Sequence, residues 1–212
     1  MIEIELKGIK LEFETNDKVF SPSNIDKGTL AMLSQVEFIK EDKILDLGCG
    51  YGIVGIFANK LSGCENIVMC DIADDAVALS EINAKRNGAL NVKIIQSDGL
   101  SNVSDEGFTL ILSNPPYHVD FSVPKMFIEQ GYKKLLTGGK MYMVTKRKDW
   151  YKNKLISIFG GVKIIEMDGY YIFIAEKRPH KANKKVIKSN DNNLSKKLQR
   201  KRDCTVSKNM VR

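Results

Sequence analysis

The chain has 212 residues, 43% of them hydrophobic and 28% charged, a composition that suits one sizeable globular core. No apolar run approaches the roughly 20 residues of a membrane span, and Met1-Ile2-Glu3-Ile4-Glu5 lacks the form of a signal peptide, so a cytoplasmic protein without a membrane partner is expected. Four cysteines without a CxxC spacing (Cys49, Cys64, Cys70, Cys204) and two histidines argue against a disulfide framework and against a metal site.

The first residues alternate, with Ile2, Ile4 and Leu6, then Ile9, Leu11 and Phe13, and Gly8 between the two sets. That period of two predicts a short hairpin with one buried face. Val19 to Ser23 reads as a loop, and Asp26-Lys27-Gly28-Thr29 opens a helix with Leu30, Leu33, Val36 and Phe38 on one face. Residues 1–25 are therefore expected to be a β ribbon and loop flanking a larger domain.

A strand–helix alternation follows. Strands are expected at 43–47, 66–71, 91–96, 108–112 and 140–145. Helices fill the gaps: 53–61, closed by Gly63, and 74–87, with Ala76, Val77, Leu79, Ile82 and Ala84 as its apolar positions. A further helix starts at Pro124, carries Phe127, Ile128, Tyr132, Leu135 and Leu136, and ends at Gly138-Gly139. The last runs from a capping Asp149 to Phe159. Residues 162–166 and 170–175 form a closing hairpin around Met167-Asp168-Gly169. The pattern predicts a doubly wound α/β fold over residues 1–178, with a seven-stranded, mostly parallel sheet ending in an antiparallel hairpin. Residues 179–212 carry eleven Lys/Arg against two Asp, a surplus of nine within a total of +7, so residues 1–178 are close to neutral at −2. That tail lacks apolar periodicity and reads as disordered.

Four stretches carry chemistry. Asp46-Leu47-Gly48-Cys49-Gly50-Tyr51-Gly52 joins the first sheet strand to its helix, where glycines allow a tight turn and a helix N-terminus favours a carboxylate. Its G-x-G-x-G spacing differs from the dinucleotide fingerprint G-x-G-x-x-G. The Cys49 thiol has nothing beside it to lower its pKa and reads as structural, while the residue itself counts with Gly48 and Gly50 as a loop position facing the cofactor. Asp71, with Ile72 after it, ends the second strand 21 positions past Gly50, the spacing of a ribose-binding carboxylate. Asp98-Gly99 ends the third strand, either to meet an adenine edge or simply to start a turn. Such positions bind a nucleoside bearing a carboxylate chain, which fits S-adenosyl-L-methionine better than NAD. The fourth stretch is Asn114-Pro115-Pro116-Tyr117, after the apolar run Phe108 to Leu112. Two prolines stop the strand and make a rigid edge where open α/β sheets bind ligands.

Ile44 to Gly52, Asp71, Asp98 and Asn114 to Tyr117 resemble the successive motifs of class I S-adenosylmethionine-dependent methyltransferases, which implies a Rossmann-like class I methyltransferase fold. The Asn-Pro-Pro-Tyr is similar to that of enzymes methylating a planar nitrogen. Val19-Phe20-Ser21, Asp26-Lys27-Gly28-Thr29 and His118 narrow the resemblance to the small-domain methyltransferases of the RsmC/RlmG type, which modify guanine-N2 of ribosomal RNA. The resemblance covers about residues 10–178 and implies that Phe20 and Ser21 cover the cofactor. Those enzymes carry a second, degenerate copy of the domain in front. With one copy here, RNA placement falls to the ribbon, the basic tail or a second subunit, so an oligomer is compatible with the reading.

The chemistry of the groups supports an exocyclic amine as acceptor. Its lone pair is delocalised into the base, and the Asn114 oxygen and the Pro115 carbonyl would each accept one N–H and turn that lone pair toward the methyl carbon. Asn114 would also contact the cofactor, Tyr117 would stack on the base, and His118 would be a wall, a hydrogen-bond donor or a proton acceptor. Lys146 and Arg147, in Lys146-Arg147-Lys148, would grip phosphates or form a solvated loop. Two other readings share parts of this pattern. Protein glutamine-N5 methyltransferases have the same tetrapeptide but usually an all-helical front. A methyltransferase-fold RNA-binding module without catalysis would bind RNA but no cofactor.

Overall fold

The chain adopts, in a computed structural model that describes residues 1–19, 21–116 and 120–179, an α/β architecture around one seven-stranded sheet. The elements in order are β1 (Ile2–Leu6), β2 (Ile9–Phe13), α1 (Lys27–Ser34), β3 (Lys43–Leu47), α2 (Ile53–Ser62), β4 (Asn66–Asp71) and α3 (Asp74–Arg86). There follow β5 (Lys93–Gln96), β6 (Phe108–Ser113), α4 (Ser122–Lys134), β7 (Leu135–Thr145), α5 (Lys148–Phe159), β8 (Lys163–Met167) and β9 (Tyr170–Glu176). The sheet runs β5-β4-β3-β6-β7-β9-β8, parallel except for the β8–β9 hairpin, which pairs antiparallel with β7 through β9. The expected seven-stranded, mostly parallel sheet with its closing antiparallel hairpin and the separate two-stranded ribbon are both present.

The central strands are apolar runs because both sheet faces are covered. Along β7, Tyr142 and Val144 enter the core shared with α1, α2, α3 and the ribbon, while Met141 and Met143 enter the core shared with α4 and α5. The strand order reverses between β3 and β6, so a crevice opens at their carboxyl ends. Pairing of Asp46 with Leu112 brings the glycine loop and Asn114 to that crevice, and the Ser113 hydroxyl donates to the Leu47 carbonyl at 2.7 Å.

Several expected boundaries move. Helix α1 stops at Ser34, so Val36 is buried but lies past the helix. There, Lys7 Nζ donates to the carbonyls of Leu33 and Val36 at 3.3 and 3.2 Å, a cation at the negative end of the helix. Strand β5 begins at Lys93 rather than Asn91. On α3, Ile82 is exposed, and the polar Ser80 and Asn83 take the buried face beside Ala76, Leu79 and Ala84. Helix α4 starts at Ser122 and ends at Lys134, before Gly138-Gly139. Those glycines lie inside β7, where the register slips between Phe108 and Leu110. Gly138 N–H donates to the Lys177 carbonyl and Lys177 N–H to the Gly139 carbonyl, so the glycines carry a bulge instead of a helix stop. Asp149 sits in the first turn of α5, whose capping position is Arg147.

The ribbon turns at Lys7-Gly8, both at positive φ. It docks on α3 through side-chain amides that imitate a strand: Asn87 accepts from Glu12 N–H at 3.0 Å and donates to the Glu12 carbonyl at 2.8 Å. Asn83 does the same for Glu14, four residues earlier on the same helix face.

Candidate active site

The glycine loop is built from both ends. Gly48 and Cys49 N–H donate to the Cys70 carbonyl at the end of β4, and Gly52 N–H donates to the Cys49 carbonyl. Gly48, Gly50 and Gly52 all adopt positive φ, a path that residues with a Cβ rarely follow. Gly52 caps α2 without a side chain, and Asp46 does that work from the strand beneath, accepting Gly55 N–H at 3.0 Å. The Asp46 carboxyl is only 2% exposed, and its burial raises its pKa from 3.8 to about 7 against the smaller lowering effect of the Gly55 N–H. Burial likewise pushes the Cys49 thiol up, well above its ordinary value. Its sulfur meets Ser80 Oγ at 3.5 Å, and Ser80 Oγ donates to the Gly50 carbonyl at 2.9 Å.

Asp71 locks onto this loop. One carboxylate oxygen accepts Gly50 N–H at 2.9 Å and the other accepts Ala73 N–H at 3.0 Å. Ile72 beside it stays 62% exposed, an isolated apolar side chain on the rim of the crevice. Asp98 does begin a turn, its carbonyl accepting Ser101 N–H, and its side chain faces the same crevice.

The crevice is a cavity of about 380 Å³ lined by Asp46, Gly48, Cys49, Gly50, Asp71, Ile72, Asp98, Gly99, Ser21 and Asn114 among others. Asp26, Thr29 and Lys18 also line it, as do Met126 and Phe127 of α4. None of these five stood out in the sequence as a site residue. Asp26 and Thr29 carried a weak signal, since they lie in the Asp-Lys-Gly-Thr stretch that opens α1. Lys18 forms an ion pair with Asp75 at 3.1 Å.

Asn114 is half-buried, and its side-chain amide nitrogen donates to Asp26 Oδ1 at 2.8 Å and to Thr29 Oγ1 at 2.9 Å. An ionised carboxylate only accepts, so the amide must turn its nitrogen to Asp26 and its oxygen the other way. Pro115 is buried, whereas Pro116 is exposed and reaches the cavity. Lys146 and Arg147 do not line the cavity. They sit on the rim at the end of β7, with Lys146 Nζ 5.0 Å from the Tyr170 ring centre and the Arg147 guanidinium 5.0 Å from that of Phe121. Phe20, Tyr117, His118, Cys204 and the tail from residue 180 lie outside the described residues.

The cavity suits S-adenosyl-L-methionine. A Cβ placed on Gly50 would meet nothing within 4 Å, so the loop presents bare backbone to a ligand. Asp71, Ile72 and Phe127 all line the cavity, so a carboxylate that could accept a pair of ribose hydroxyls stands beside apolar side chains that could wall a flat base. Among the described residues, no helix is long and apolar enough to cross a membrane and no group of three or more metal-ligating side chains occurs.

Comparison with known proteins agrees with this geometry. The family model for the methyltransferase small domain matches residues 10–174. The uncharacterized protein YbxB of Bacillus subtilis (strain 168) is 35% identical over 178 residues, which are 81% of this chain and 89% of that protein. The ribosomal RNA small subunit methyltransferase C of Shewanella amazonensis is 31% identical over 76% of this chain and 47% of its own length. Among solved structures, the Thermus thermophilus 16S rRNA N2 G1207 methyltransferase in complex with AdoMet and guanosine aligns with a TM-score of 0.77. It is 24% identical, over 84% of this chain and 50% of that one. The chain thus spans about half the length of the ribosomal RNA methyltransferases it matches.

Proposed function

The chain belongs to the methyltransferase small-domain family and its cofactor is S-adenosyl-L-methionine, and on that premise we propose that it methylates an exocyclic amine, guanine-N2 of ribosomal or other structured RNA. The observation that carries the amine is the orientation of Asn114, whose nitrogen is committed to Asp26 and Thr29. The amide oxygen is thereby turned away from Asp26 and Thr29, and an oxygen acceptor at the end of β6 selects an N–H.

The cofactor supplies a methyl group already activated on a sulfonium, so the protein's task is alignment. Asp71 holds the ribose hydroxyls, Asp98 and Ile72 border the base, and the Gly48–Gly50 backbone receives the amino-acid end. Ser21 lines the same cavity, and the family resemblance assigns the cover over the cofactor to it and to Phe20. On the acceptor side, Asn114 Oδ1 and the Pro115 carbonyl each take one N–H of the amine, and the two prolines keep both acceptors rigid. Tyr117 provides a face for the planar base and His118 a wall.

RNA as the substrate is supported by the names of the relatives and by a basic rim. Lys146, Arg147 and Lys148, consecutive in the chain, lie over the rings of Tyr170, Phe121 and Tyr171 at 5.0, 5.0 and 4.9 Å. All three residues remain exposed while the rings hold them in place, which leaves their charges within reach of a phosphate backbone. The test is transfer of labelled methyl groups into RNA and protein fractions from cells lacking the enzyme, followed by nucleoside analysis. N2-methylguanosine is the expected product, and label in protein alone would overturn the reading.

A further inference from the structure

We infer that Asp26 is a positioning residue for the acceptor site: its carboxylate sets the amide orientation of Asn114 and thereby makes the site an acceptor of N–H groups. The inference rests on the proposal that Asn114 holds an amine. Asp26 is approached from three separate parts of the chain. Its Oδ1 accepts Thr29 N–H at 3.0 Å, as the N-cap of α1, and Asn114 Nδ2 at 2.8 Å from beyond β6. Its Oδ2 accepts the Tyr170 hydroxyl at 3.1 Å from β9.

Capping alone does not need a carboxylate, because Asn, Asp and Ser cap helices about equally well. Fixing an amide does. An amide facing another amide or a hydroxyl finds a partner in either orientation, whereas an ionised carboxylate accepts only. The Tyr170 hydroxyl donates to the second oxygen, so the carboxylate is held against rotation. The ring that carries it lies so close to α1 that a Cβ on Gly28 would stand 2.6 Å from Tyr170 Cδ1. Gly28 is therefore the residue that lets Tyr170 reach Asp26, and Lys146 Nζ lies 5.0 Å from the centre of the same Tyr170 ring.

The variant Asp26→Ser separates the two roles: serine caps a helix about as well as Asp, but its shorter side chain carries no carboxylate to Asn114, whereas Asp26→Asn would keep its Oδ1 on both Thr29 N–H and Asn114. In the full chain, kcat is expected to fall about 10- to 100-fold, the scale of a misplaced reacting group, while cofactor affinity stays within about twofold and Tm within about 2 °C. An unchanged kcat overturns the inference. So does a fall in kcat accompanied by loss of cofactor affinity or of thermal stability, which would assign Asp26 to the fold. A second readout needs no substrate: the side-chain amide resonances of Asn114, identified by their loss in Asn114→Ala. They should show slowed exchange and a downfield shift in the wild-type chain and lose both in Asp26→Ser. Identical resonances in the two proteins overturn the anchoring whatever the substrate is. If instead the resonances respond but the wild-type chain labels no amine, the anchoring stands and the amine reading falls.

Discussion

Asn83 and Glu14 exchange two hydrogen bonds across 69 residues of sequence: Asn83 Oδ1 accepts Glu14 N–H at 2.7 Å and Nδ2 donates to the Glu14 carbonyl at 2.9 Å. The same Nδ2 donates to the carbonyl of Tyr51, inside the glycine loop. One fully buried side chain thus ties the end of the ribbon strand to the backbone of the cofactor loop. Asn83→Ala leaves those carbonyls and one N–H without partners and should cost about 2–4 kcal/mol of stability. It should also weaken cofactor binding. Urea denaturation and calorimetric titration check both, and a loss under about 0.5 kcal/mol would show that the amide is dispensable.

Asn114→Ala should lower methyl transfer by at least about 100-fold while leaving cofactor affinity nearly intact. Loss of both together would make Asn114 a cofactor ligand or a structural residue. Stopped-assay kinetics beside a binding titration separates these outcomes.

Asp71→Ala removes two acceptors, one for Gly50 N–H and one for Ala73 N–H, besides the carboxylate assigned to the ribose. Charged hydrogen bonds of this kind contribute about 1.5–3 kcal/mol each, so the cofactor Kd should rise by at least about tenfold. A Kd unchanged in Asp71→Ala would remove Asp71 from the cofactor site.

Asp46 makes stability depend on pH in an uncommon direction. Between 3.8 and about 7 the folded chain keeps a proton on this carboxyl that the unfolded chain has released. This group's contribution therefore weakens as pH rises through that window and is level above it. Asp46→Asn keeps an acceptor for Gly55 N–H and carries no charge. The stability of the variant relative to wild type should grow from near zero at about pH 4 to on the order of 2–4 kcal/mol at about pH 8 in cofactor-free protein. Urea denaturation at each pH measures it, and a pH-independent difference would mean that Asp46 titrates normally.

The basic segments should act on RNA binding through phosphate contact. Lys146→Ala and Arg147→Ala should each reduce the slope of log K against log salt by about one. Deleting residues 180–212 should reduce it further, and an unchanged slope after that deletion would rule out the tail as an RNA contact.

The order of elements was legible because it is written in local patterns. Runs such as Phe108 to Leu112 are apolar but for Thr109 since both sheet faces are buried, and glycines at 48, 50 and 52 mark a turn wherever they stand. Reading failed where the tertiary environment reassigned a residue. Gly138-Gly139 looks like a helix stop but carries a bulge in β7, and Ile82 is apolar yet exposed while Asn83 is polar yet buried. Periodicity ranks residues by polarity and has no means of seeing that a buried amide meets the open edge of a distant strand.

By itself, the sequence determined the α/β alternation, the positions of the strand ends, and the presence of Asp46, Asp71, Asp98 and Asn114 at those ends. Only the tertiary structure decided what each polar group touches. Asn114 and Asp26 are 88 residues apart, and their contact depends on α1 lying beside β7 and β9 with Gly28 admitting the Tyr170 ring. Hydrophobic periodicity is a property of neighbouring residues, whereas a hydrogen bond needs two atoms within about 3 Å at a workable angle. That condition is met only once the whole chain has taken its path.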